Sequence, residues 1–260
     1  MGNKKNLFFF ENSSEFFGTN CVKMKNWIKD EDQSWASFWL EIVFLGLLIV
    51  FVRLYVFQLF QVSGPSMCPT LNMFDSVCQQ PYGKESKSDF IFVNEFLYSI
   101  VSEPKKGEIV VFNSPNKSSN KWLELINKVI PFWDINTKTP TRYIKRVIGT
   151  AGDTVTVKQG KVFLQAKDTN AVIELPEPYL NKTNKGSTTS QKETFVVPEG
   201  KILVFGDNRV NSTDARMCFG SCRNGASPFT DVKDVVGRAE FIIFPINHIR
   251  FLNNSLGLDD

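Results

Sequence analysis

The sequence predicts a mostly antiparallel β domain preceded by one membrane-spanning helix. Three observations carry that prediction. One long apolar run follows a polar N-terminal tail. Beyond it the chain breaks into short β-branched and aromatic runs bounded by Gly, Pro and Asn, the signature of short strands joined by turns. No strand–helix–strand alternation is visible, which argues against a doubly wound parallel sheet. At 260 residues the chain has room for one substantial domain besides the tail and the apolar segment.

Residues 1–34 are rich in Asn, Ser, Lys and Phe without a sustained period, and read as a loosely ordered tail. Residues 35–60 follow as the anchor. From Trp35 to Val52 the run is interrupted only by Ser37, Glu41 and Gly46, and it continues past Arg53 as "LYVFQLF". A helix needs about 20 such residues to cross a bilayer. Glu41 falls near the start of the segment, where a charge costs less than at the bilayer centre. A cleavable leader would have a short basic start and an apolar core of about 7–15 residues, so a retained anchor is the better reading. Lys23, Lys25 and Lys29 lie on the N-terminal side and Arg53 on the other. The positive-inside rule then places the N-terminus in the cytoplasm and residues 61–260 on the outer face.

Soon after the anchor comes "SGPSMCPT", Ser63 to Thr70. Pro65 and Pro69 fix their own φ and bias the preceding residue toward extended backbone, so Ser66 sits in a stiff, non-helical turn. The strands expected next are "DFIFVNEF", "GEIVVF", "YIKRVIG", "DTVTV", "KVFLQ", "ETFVV", "KILVFG" and "AEFIIFPI". Two segments interrupt them. "KWLELINKVIPFW" places Trp122, Leu123, Leu125, Ile126 and Val129 on one helical stripe, a helix near 120–133 that either packs on the domain or rests on the membrane surface. The polar stretch from about 165 to 193 reads as a long loop or small insertion.

Composition narrows the function. A net charge of +3 without a basic run interleaved with aromatics gives no footprint for nucleic acid. The five cysteines form no CxxC pair, and with a single histidine a structural metal site is not expected. Cys218 and Cys222, four apart, close a small disulfide loop or remain two thiols; spacing alone leaves both open. The one histidine, His248 in "PINHIRF", is more often structural in such a place, so a serine enzyme built from this chain needs another base.

That base is lysine. To act near neutral pH a lysine must fall from its ordinary value of about 10.4 to about 7, roughly 4 kcal/mol of differential desolvation. It therefore belongs in an apolar strand. In "RYIKRVIG", Tyr143, Lys145 and Val147 share one strand face, and Arg142, Ile144 and Arg146 the other. In "GDNRVNSTDAR", directly after the apolar strand "KILVF", Ser212 offers a hydroxyl to orient the lysine, while Asp214 and Arg216 pair to brace the loop.

The whole pattern resembles the type I (leader) signal peptidases, membrane-bound Ser-Lys endopeptidases of the S26 class. After the anchor, "SGPSMCPTL", "KKGEIVVF", "YIKRVIGTAGDTV", "GDNRVNSTDAR" and "VVGRAEFIIFP" stand in the family's order over roughly residues 40 to 247. The resemblance implies an antiparallel β core with a small inserted β region, here about 158–197. It implies Ser66 as nucleophile, Lys145 as general base, Ser212 bonded to that lysine, and Asp214 and Arg216 as supports. Met67, Pro69 and Thr70 match the residues shaping the turn. Two positions depart from the pattern: Gly64 stands where some members carry a serine that completes the oxyanion hole, and Ala215 where many have serine. The implied function is removal of N-terminal signal peptides from exported preproteins by cleavage after small residues, at the plasma membrane, with no cofactor and no metal. Its partners are those preproteins and the lipid bilayer.

Three rivals remain. A penicillin-recognising enzyme would use the S-x-x-K motifs Ser114–Lys117 or Ser118–Lys121, but the chain has no KTG or SDN partner. A self-cleaving repressor would carry a DNA-binding module where the anchor stands. The rival from another class is a catalytically silent membrane-tethered β domain that binds envelope partners.

Overall fold

The computed structural model describes residues 35–55, 57–78, 87–96, 98, 102–114, 142–220, 222–223 and 225–258. The tail expected over 1–34 and the helix expected near 120–133 lie outside the described residues. The chain divides into two compact units, Met1–Val50 and Phe51–Asp260.

Helix α1 spans Trp35–Tyr55. Its large apolar side chains from Phe38 to Phe51 are exposed rather than packed in a core. Among the described residues no helix is long and apolar enough to cross a membrane. The expected anchor boundary at 60 is corrected. The helix stops at Tyr55, and Phe57–Gln61 is strand β1, paired antiparallel with β4 (Phe90–Asn94). Leu59 and Gln61 are exposed while Gln58 is buried and Phe60 half-buried, the alternation of faces that a strand produces.

In the remaining unit every strand pairing among the described residues is antiparallel. Its main sheet adds β5 (Ile109–Asn113), β6 (Arg142–Gly149), β11 (Lys201–Phe205), β12 (Thr230–Asp231), β13 (Val235–Phe244) and β14 (Arg250–Phe251). The order is β1-β4-β13-β5-β6-β11-β12, with β14 paired to β13. A four-stranded sheet, ordered β10-β7-β8-β9, is formed by β7 (Thr154–Lys158), β8 (Lys161–Gln165), β9 (Val172–Glu174) and β10 (Thr194–Val196). The inserted β region therefore begins at Thr154, slightly before the expected 158. A short hairpin pairs β2 (Met73–Phe74) with β3 (Val77–Cys78).

The centre of the main sheet is buried on both faces, while Leu59 of β1, Phe251 of β14 and Phe244 at the end of β13 are exposed. Along β5, Val110 and Phe112 enter one apolar cluster, while Ile109 and Val111 enter another with Met67, Leu71, Ile91 and Ile242. A strand covered on both sides reads as a continuous apolar run, which "IVV" is. Double coverage also explains a difference at β6. Only the Tyr143–Lys145–Val147 face carried an apolar expectation, yet Lys145 and Arg146 are both buried.

The segment 165–193, expected as a polar loop, is in part core. Leu175 and Leu180 are buried, and so are the polar side chains Glu177, Asn184 and Thr188. The polar groups are satisfied locally or by the loop after β11: Asn184 Nδ2 donates to Asn181 Oδ1 (2.9 Å), and Arg209 donates to Thr188 Oγ1 (3.1 Å), to Glu177 and to Tyr179 Oη (3.2 Å). Sequence composition sees polarity, but whether a polar group is exposed or partnered depends on what folds over it.

Candidate active site

Ser66 lies at the rim of the β unit in a turn spanning 66–70. Its neighbours anchor it: Met67, Cys68 and Leu71 are almost wholly buried while Ser66 itself is half-buried. Burying a side chain such as Met67 or Leu71 contributes roughly 1.5–3 kcal/mol, so the turn is pinned by residues on either side of the hydroxyl. Cys68 N–H donates to Pro65 O (3.0 Å) and Leu71 N–H to Met67 O (3.0 Å). The peptide bond before Pro69 is cis. At Gly64, φ is +85°, a left-handed conformation that glycine adopts without the penalty a side chain brings. Its carbonyl accepts from Asn72 Nδ2 (3.0 Å).

Lys145 comes from the middle of the sheet, opposite Val110 of β5. Its Nζ donates to Ser66 Oγ at 2.7 Å and to Ile144 O at 2.8 Å, and stands 5.7 Å from the Tyr143 ring centroid. Burial lowers its pKa to about 8, against the opposing pull of the Asp214 and Asp207 carboxylates and with help from the Arg216 charge. The structure thus brings together two groups lying 79 positions apart in sequence, with the amine in an environment that favours its neutral form.

The loop after β11 closes the site from the other side. Asn208 N–H donates to Ser66 O (3.1 Å), Asn208 Nδ2 to Pro65 O (3.0 Å), and Thr70 Oγ1 to Asp207 Oδ2 (2.5 Å). Asp207 in turn accepts two bonds from Arg146, at 2.9 and 2.8 Å. The Arg146 guanidinium donates further to Gly107 O and Asn253 O and stacks 3.9 Å from the Tyr179 ring centroid. Gly206 must be glycine for space. A Cβ there would stand 2.5 Å from Ser66 O and 2.1 Å from Ser212 Oγ.

Asp214 and Arg216 pair through two bonds, 2.9 and 2.7 Å, and Asp214 also accepts from Gly206 N–H (2.8 Å). Burial alone would raise the Asp214 carboxyl, but the Arg216 charge and these hydrogen bonds hold it below its ordinary value. Arg216 also donates to Arg209 O (2.8 Å), tying the loop to itself. Ala215 is fully buried beside them.

The expected Ser212–Lys145 hydrogen bond is corrected. Lys145 spends its donors on Ser66 and Ile144, and the buried Ser212 Oγ makes no hydrogen bond of normal geometry among the described residues. Ser212 instead lies close enough to Asp214 to favour its charged form. Sequence reasoning singled out neither Gly206, Asp207 and Asn208 nor Arg146 as site residues. The turn signal of "GDN" was legible, but the partner of each side chain lies elsewhere in sequence.

His248 stands apart from the Ser66–Lys145 pair. Its Nδ1 is 3.0 Å from Asp89 Oδ1, and its ring stacks on Phe74 at 4.2 Å. Two disulfides are present among the described residues. Cys218–Cys222 joins the pair whose state spacing left open, and Cys68–Cys78 joins two cysteines that the sequence reading left unpaired.

Comparison with known proteins adds a family. Residues 35–244 match the sequence model of the family described as signal peptidase, peptidase S26. Over 219 residues the chain is 31% identical to signal peptidase I P of Bacillus subtilis subsp. natto, spanning 82% of this chain and 91% of that relative. Over 222 residues it is 31% identical to signal peptidase I of Bacillus amyloliquefaciens, spanning 83% and 90% of the two chains. A solved signal peptidase I from Enterococcus faecalis V583 is 22% identical, with a TM-score of 0.33 over 53% of this chain and 97% of that one.

Proposed function

Since the chain belongs to the signal peptidase family, peptidase S26, we propose that it is a membrane-bound serine endopeptidase that removes N-terminal signal peptides from exported preproteins, with Ser66 as nucleophile and Lys145 as general base. The observation that carries the dyad is the 2.7 Å approach of Lys145 Nζ to Ser66 Oγ inside a buried environment. With its pKa lowered to about 8, a usable fraction of the amine is neutral near physiological pH, and its lone pair then accepts the Ser66 O–H proton.

As that proton moves to Nζ, Oγ bonds to the scissile carbonyl carbon and the carbonyl oxygen takes the negative charge. The Ser66 backbone N–H supplies one oxyanion donor. Gly64 carries no hydroxyl, so the remaining stabilisation falls to main-chain donors. The protonated lysine returns the proton to the departing amine as the C–N bond breaks, leaving an acyl ester on Ser66. Water, deprotonated by the same amine, then releases the signal peptide. Asp214, Arg216 and Ser212 hold the loop against the dyad without taking part in proton transfer. Cleavage follows small residues at the first and third positions before the cut.

The membrane part of the proposal rests on the apolar run of α1, its exposed side chains and the cationic N-terminal flank. Two disulfides in the unit beyond it support an oxidising, outer-face location. The test is cleavage of a purified precursor carrying an A-x-A site, in lipid or detergent, by wild type, Ser66→Ala and Lys145→Met. The expected outcome is correctly placed cleavage by wild type and loss of at least a thousandfold in both folded variants. Equal activity in all three would overturn the dyad.

A further inference from the structure

We propose that the Cys68–Cys78 disulfide is a positioning element of the active site, locking the turn that carries Ser66 so that Oγ stays within reach of Lys145; the inference rests on the dyad proposed above.

Cys68 follows the serine by two positions, is fully buried, and closes the turn through its own N–H to Pro65 O at 3.0 Å. Its partner Cys78 ends the short hairpin β2–β3, opposite Met73. That hairpin has only two residue pairs, and Asp75, Ser76 and Val77 are exposed. So short a hairpin is marginal by itself. Asn72, Asp75 and Ser76 also hold φ values of +58°, +50° and +63°, conformations that non-glycine residues adopt only when the surroundings impose them.

Two anchors impose them. One is noncovalent: Phe74 is buried and stacks on His248, whose Nδ1 meets Asp89 Oδ1 at 3.0 Å. Asp89 accepts from Asn72 N–H (2.7 Å) and donates its own N–H to Asn72 Oδ1 (2.8 Å), while Asn72 Nδ2 reaches back to Val62 O and Gly64 O. The other is the covalent bond itself, which carries the hairpin's placement directly into the turn. The β11 side holds Ser66 through Asn208 and Thr70 through Asp207, so the disulfide restrains the face that this loop does not. A cross-link closing so short a loop narrows the conformations open to the segment between its cysteines, and Ser66 lies just outside that segment, two positions before Cys68. A shift of about 1 Å at the nucleophile is enough to cost about a hundredfold in rate.

The test uses the full chain in detergent. Cys78→Ser opens the bridge while leaving the buried Cys68 in place. The second sample, which keeps the question answerable should that variant misfold, is Cys218→Ser/Cys222→Ser enzyme reduced with dithiothreitol, so that only Cys68–Cys78 is opened. The first is compared with wild type and the second with its own oxidised form in kcat, KM and amide hydrogen exchange. The expected result is a fall in kcat of at least tenfold with KM within twofold. Exchange at the Cys68 and Leu71 amides should speed up at least tenfold, while Ile148 and Val204 in the sheet stay protected. Where the oxidised protein cleaves precursor, unchanged kcat would overturn the proposal whatever the exchange shows; unchanged exchange at the turn would overturn it in either case. Faster exchange at the turn in a protein whose oxidised form cleaves no precursor would support the lock while removing the peptidase reading.

Discussion

Lys145 shows how one side chain acquires its chemistry from its surroundings. Its pKa of about 8 comes chiefly from burial, and two carboxylates keep it from falling further. In its proposed role as general base Lys145 must be neutral, so the active fraction grows as pH rises: about a tenth at pH 7 and about nine-tenths at pH 9. The kcat/KM for precursor cleavage is therefore expected to rise through an apparent midpoint near 8 and then level off; a profile flat from pH 6 to 9 would contradict a lysine base. Arg146 shows a different arrangement, a buried cationic side chain set directly against an acidic partner. Both it and Asp207 are fully excluded from solvent. Asp207→Ala leaves that guanidinium buried without its counter-charge, at a cost of about 3–5 kcal/mol. Chemical denaturation should show a stability loss of that size, and a loss below about 1 kcal/mol would mean that water or Tyr179 compensates.

At the scale of elements, the site is a meeting of three pieces of backbone: the Ser66 turn, β6 and the loop after β11. Their spacing is set at Gly206, where the loop backbone passes close to Ser66 O. In Gly206→Ala the new methyl would overlap Ser66 O and Ser212, and because a carbonyl cannot rotate away, the turn itself must move. The expected outcome is a kcat loss of about tenfold to a hundredfold with the circular dichroism of the β unit retained. Wild-type kcat would show that Ser212 yields instead and that the turn is not held by this contact. The same close approach explains why "GDN" follows "KILVF" directly: the strand ends where its backbone must turn beside Ser66.

At the scale of the whole molecule, an apolar helix precedes an antiparallel β unit whose outer-face location is argued from charge asymmetry and two disulfides. The expected outcome of adding protease to right-side-out vesicles is digestion of the residues beyond α1, with the N-terminal tail cut only after the membrane is opened. Complete protection of the β unit would reverse the topology. A tethered peptidase would meet its substrate in the plane of the membrane, raising effective concentration without any added contact.

The eight strands expected from short β-branched runs all appear, because alternation and turn residues act over a few positions and need no distant partner. Lys145 was legible for the same reason: a lone lysine flanked by apolar neighbours on one strand face is a local pattern. The strand at Phe57–Gln61 was absorbed into the preceding apolar run, since local hydrophobicity cannot tell the end of a helix from the first strand of a sheet. What the sequence determined by itself is therefore the antiparallel class, eight of the strands and the two residue types proposed for the chemistry. Only the tertiary structure decided the rest. It settled that Arg146 pairs with Asp207, that Ser212 leaves the lysine to Ser66 and Ile144, that Cys68 finds Cys78, and that the polar segment 165–193 is partly core. Each is a question of which distant groups share a desolvated space. A buried charge or thiol takes its partner from across the fold, and no local pattern records that distance.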